Sequence, residues 1–184
     1  MKIFAMSACA LLALSLQVSA QAPAGAIKLG KVLPAVVKTP EFSLKSGSEK
    51  RSKPADWLEI EVEFDTKGAE IEELTLEYTV QVENKLLEGQ VTHVTIPVGR
   101  EHFSVMYVAP RSLEKLTGGK PINQGSVQNV WIIAKIKGQT VDQAAHRVGP
   151  IPNLQKTPGM LLNKTETPFA PLYFDRYEAT KPSK

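Results

Sequence analysis

The chain has 184 residues, 42% hydrophobic and 22% charged, a globular composition with room for about one domain. Its 22 basic and 19 acidic side chains leave a net charge of +3, which gives no electrostatic case for a nucleic-acid partner. One cysteine and one long apolar stretch, at the extreme N-terminus, exclude disulfide frameworks and multi-span membrane folds.

Residues 1–20 read as a secretory signal peptide. Met1-Lys2 is a basic start, Ile3 to Leu16 an apolar run of the length such signals use, and Val18-Ser19-Ala20 a small-residue cleavage site. Gln17 and Ser19 interrupt the run too early for a membrane span. Cleavage there removes Cys9, so the mature chain has no thiol for a disulfide, a metal or catalysis. The expected location is exported: periplasm, cell surface or medium, with no integral membrane segment after signal removal.

Residues 21–40 read as a flexible leader or an edge strand through Val32, Val36 and Val37. A short strand is expected at Glu41–Leu44, then a polar basic loop to Pro54 containing Lys50, Arg51 and Lys53, with Lys45 just before it. Trp57–Phe64 alternates with period two: Leu58, Ile60, Val62 and Phe64 on one face, Trp57, Glu59, Glu61 and Glu63 on the other. Asp65–Gly68 is a turn, and Leu74–Val82 a second alternating strand. Val91–Val98 and Phe103–Val108 follow, then a short helix from Ser112, its expected cap, to Gly118. Val127–Ile136 is the most apolar strand, and Lys137-Gly138 turns it into Thr140–Ala145.

Gly149-Pro150-Ile151-Pro152 fits neither strand nor helix, yet large apolar side chains return at Phe169, Leu172, Tyr173, Phe174 and Tyr177. They predict an ordered, Pro-rich tail packed along the domain. The layout is a domain over 41–178 and a disordered end over 179–184, frayed from Thr180. Short strands between turns, with little helix, predict an all-β antiparallel sandwich of about seven strands.

No motif carries recognisable chemistry. Glu59, Glu61 and Glu63 form a flat row that does not converge as a hard cation requires; they are expected to be solvated and to face lysines such as Lys135 and Lys137. His93, His102 and His146 lack zinc-ligand spacing and are expected to be exposed, although His93 and His102 flank a predicted hairpin that could bring them together. There is no G-x-S-x-G elbow, and neither cofactor nor metal is expected. Trp57 and Trp131 would make a sugar-stacking platform if both faced outward; burial by loops or tail is the simpler expectation. Asn163-Lys164-Thr165 fits a glycosylation sequon, relevant only in a eukaryote.

Lys50–Phe64 and Leu161–Glu178, as strings, resemble a family of secreted pilus-like proteins of Verrucomicrobia, best known from Akkermansia. The resemblance implies an immunoglobulin-like sandwich, exported and associated with type IV pilus machinery or the cell surface. It implies no catalytic residue. The removable N-terminal run differs from the long assembly helix of a true pilin, which points to an accessory role. The expected function is a non-enzymatic interaction or structural domain with protein partners, itself a possible homo-oligomer. Contact positions are expected at Trp57, Glu59, Glu61, Phe169, Tyr173, Phe174 and Tyr177. The alternative is an extracytoplasmic carbohydrate-binding module.

Overall fold

A computed structural model describes residues 25–42, 53–173 and 175–182. Among these residues nine strands, β1 (Ile27–Lys38), β2 (Asp56–Thr66), β3 (Ile71–Val82), β4 (Lys85–Ile96), β5 (His102–Val108), β6 (Val127–Ile136), β7 (Gln139–Ala145), β8 (Gln155–Pro158) and β9 (Leu161–Asn163), form two facing sheets. The first sheet has the order β1-β2-β5-β9 and the second β7-β6-β3-β4-β8. All pairings are antiparallel except β4 with β8. With β1, β2 and β5 as A, B and E, and β7, β6, β3 and β4 as G, F, C and C′, the strand order is that of an immunoglobulin-like sandwich.

The alternating runs form the core. Leu58, Ile60, Val62 and Phe64 of β2 face Leu74, Leu76, Tyr78, Val80 and Val82 of β3, all essentially without solvent contact. Each such aliphatic side chain contributes about 1.5–3 kcal/mol on burial. The Lys137-Gly138 turn joins β6 to β7 with both residues at positive φ, 50° and 78°, as a twisted two-residue hairpin demands.

Several expectations are corrected. Of the two readings of residues 21–40, Ile27–Lys38 take the edge strand, β1, but with Ile27, Leu29 and Val32 in the core. Glu41 and Phe42 are not strand; the rest of that expected strand, and all of the basic loop except Lys53 and Pro54, lie outside the described residues. The helix, α1 (Pro110–Thr117), begins two residues before Ser112, capped at Ala109 with Pro110 at its first position. Gly118, at φ 64°, ends it as expected. β4 starts at Lys85, six residues before the predicted run. The tail supplies two strands of its own, β8 and β9, which cover the outer edges of β4 and β5. Thr180 and Lys181, expected to fray, are tied down: Thr180 bridges His93, and the Lys181 N–H bonds the Thr92 carbonyl at 2.8 Å.

Candidate functional site

The tail joins the first sheet through a dense side-chain constellation. After β9 it turns through Lys164–Glu166, crosses the outer face of the first sheet, and closes the seam between β4 and β5. Phe169 stacks on Tyr107 of β5 (centroids 4.6 Å apart, planes at 4°) and meets Trp57 of β2 edge-on at 5.6 Å. Trp57 is only 9% exposed, and its indole N–H donates to the Thr39 hydroxyl at 3.0 Å. Trp131, 8% exposed, lies in the other sheet and donates to the Gly149 carbonyl at 2.7 Å. The two indoles form no common platform.

The glutamate row is half-buried rather than solvated. Glu59 accepts the Tyr107 hydroxyl at 2.9 Å, and burial raises its pKa. Glu61 accepts a two-pronged contact from Arg176, Nη2 to Oε1 at 2.7 Å and Nε to Oε2 at 3.1 Å, together with the Tyr177 hydroxyl at 2.7 Å. The Arg176 guanidinium also lies over the Phe103 ring, 3.7 Å from its centroid. Lys135 pairs instead with Glu77 of β3, at 2.6 Å. Of the predicted contact positions, Trp57, Glu59, Glu61, Phe169 and Tyr177 thus come together beneath and along the tail. Tyr173 does not join them and is 59% exposed; Phe174 lies outside the described residues.

The histidines are the largest correction. His93 and His102 are 1% and 7% exposed, on β4 and β5 in opposite sheets, with Phe64 against both rings. The Tyr78 hydroxyl donates to Ser104 Oγ at 2.7 Å, and Ser104 Oγ stands 2.7 Å from His93 Nε2. His93 Nδ1 faces the Glu178 carbonyl at 3.2 Å, and His102 Nδ1 meets the Glu178 carboxylate at 2.6 Å. His102 Nε2 faces the Thr66 hydroxyl at 3.3 Å. One tail residue is thus held by two buried rings. The Ser104–His93 contact has the form of a nucleophile and its base, but Ser104 is completely buried and no substrate reaches it. Among the described residues, no group of three or more His, Cys, Asp or Glu side chains is placed to hold a metal ion.

Sequence reasoning missed Tyr78, Ser104, Thr66, Arg176 and Glu178, which carry no motif and converge from β3, β5, β2 and the tail. Asn163 of the sequon lies half-buried in β9, paired with Met106. A groove of about 460 Å³ runs beside β7, lined by Trp131, Ile133, Ala144, Val148 and Ile151, with Val148 fully exposed. No helix among the described residues is long and apolar enough to cross a membrane.

No curated protein matches the chain. A crystal structure of a protein from Akkermansia muciniphila aligns with a TM-score of 0.74 at 23% identity, covering 86% of this chain and 94% of that one. At that identity the likeness is one of fold. A protein-family model matches residues 18–184, nearly the whole chain. The two-sheet sandwich with its docked tail therefore belongs to the family which that model defines.

Proposed function

We propose that this protein is a non-enzymatic, exported interaction or structural domain of a pilus-like or cell-envelope assembly. The observation that carries the reading is the internal saturation of its polar constellations. Glu61, Glu178, His93 and His102 spend their hydrogen bonds on the protein's own tail and strands, and the Ser104–His93 pair is sealed. A binding domain needs surface, not a cleft with reactive groups held open. The N-terminal signal pattern supports export.

The sandwich's edges favour contact through faces and loops over strand addition. β8 and β9 cover β4 and β5. On β1, Asp142 accepts the Leu29 N–H at 2.7 Å and His146 Nδ1 faces the Val32 carbonyl at 3.0 Å. Pro34 adds a position without an N–H, as guarded edges do. The exposed apolar side chains available for contact include Tyr173, Val148 and Ile151. A glycan module working through exposed tryptophans lacks its premise, since both indoles are covered.

Shearing native cells and immunoblotting the fractions tests the reading. Recovery with filaments or envelope, at a stoichiometry that survives washing, is the expected result. Recovery only as a free monomer overturns it. Val148→Asp should then reduce retention without lowering the melting temperature.

A further inference from the structure

The seam between β4 and β5 is closed by backbone bonds to both sheets. The Glu178 N–H donates to the Phe103 carbonyl of β5 at 3.4 Å, and the Val94 N–H of β4 donates to the Ala179 carbonyl at 3.0 Å. Beneath this closing segment lie His93 and His102. We propose that His93 makes residues 177–181 an acid-releasable latch, in which proton uptake at this ring frees the segment from the seam while the two sheets stay folded.

The argument rests on hydrogen bookkeeping. The Glu178 carbonyl can only accept, so His93 Nδ1 carries the proton that faces it. His93 Nε2 is then an acceptor for the Ser104 hydroxyl, which itself receives the hydrogen of Tyr78. The chain is satisfied only with a neutral ring. A second proton on Nε2 points at Ser104 Oγ and reverses it. Ser104 Oγ can then accept from both Tyr78 and His93, but its own hydrogen loses its acceptor and has no other among the described residues. An orphaned buried donor and a buried charge are both costly.

The groups facing His93 offset that cost only in part. They are Ser104 from β5 with Tyr78 of β3 behind it, Phe64 from β2, and Glu178 and the Ala179 backbone from the segment itself. The Glu178 carboxylate is engaged with His102. Burial outweighs the attraction of Glu178 and holds the His93 pKa below its ordinary 6.5. The open segment returns the ring to solvent and toward that ordinary value. Closure is therefore undisturbed above about pH 6.5. Below it, the closed-to-open ratio falls up to about tenfold per pH unit until the closed-state value is passed. Local opening at an edge costs less than parting the sheets, so the segment yields first.

The test is amide exchange by NMR on the isolated protein, corrected for the intrinsic pH dependence of exchange, so it stands apart from any partner. Protection at Val94 and Lys181 is expected to fall progressively as the pH drops from about 6.5 to 5, while β3 amides keep theirs. His93→Gln should show no such fall. Glu178→Gln, which keeps the carbonyl, should loosen the segment yet retain the transition. Simultaneous loss of protection across the core, or a wild-type fall in His93→Gln, overturns the proposal. If His93→Gln does not fold, the ring nitrogens of His93 in the wild-type protein decide. Protonation in step with the amides supports the latch, and a ring that stays neutral throughout overturns it.

Discussion

Trp57 shows how a single side chain can stand on the polar face of a strand and still be buried. Its alternation with Leu58 correctly assigns it to the outer face, but alternation is blind to what arrives 112 positions later, where Phe169 closes over it. Phe169→Ala removes that cover and its stack on Tyr107. A loss of about 3 kcal/mol is expected, as for other buried Phe truncations. In a chain of this size that lowers the melting temperature by roughly 6–12 °C. Trp57 emission should shift to the red at the same time; an unchanged spectrum would mean the ring is covered by something else. Glu59 titrates against His93. Its raised pKa makes its buried charge a cost at neutral pH that acid relieves, so acid weakening of the fold cannot come from Glu59.

Among the elements, β2 and β3 were legible because eight or more residues alternate and bury one face, and β6 because its apolar run is the densest in the chain. β8 and β9, at four and three residues, were not. They are strands only because β4 and β5 offer them open edges, and no local periodicity announces that. β9 passes close to β4 at Gly89, where an added Cβ would stand 2.6 Å from the Leu161 Cβ and 3.0 Å from the Met106 Cε. Gly89→Ala therefore forces β9 outward and is expected to cost about 1–3 kcal/mol, as overpacking does. The measurable signature is faster amide exchange across the β5–β9 pairing than in the β3–β6 pairing; equal loss in both would show general destabilisation instead. The histidines escaped sequence reading for a related reason: the rings meet Glu178 across two sheets, at separations of 85 and 76 residues.

At the scale of the molecule, the two-sheet plan followed from composition and period, whereas the way its sides are closed did not. One side is closed by single side-chain contacts, Asp142 and His146 reaching to β1. The other is closed by the tail, through β8, β9 and residues 177–181. A chain ending at Leu154 keeps β1 to β7 but leaves β4 and β5 as open edges. It is expected to self-associate, because unpaired edges template pairing. Light scattering at increasing concentration checks this; a monodisperse monomer would show that the tail is dispensable for closure.

The order of the chain gives that closure a time. β4 precedes β8 by about sixty residues, so a chain presented N-terminus first, at synthesis or on export, holds β4 before its partner arrives. During that interval the nascent sandwich carries an unsatisfied ladder on each sheet and an uncovered indole. A holding chaperone would find its target there, and its release would be timed by the arrival of the tail. Such late, long-range pairing also sets the tempo of refolding in isolation, which should be slow for a domain of this length.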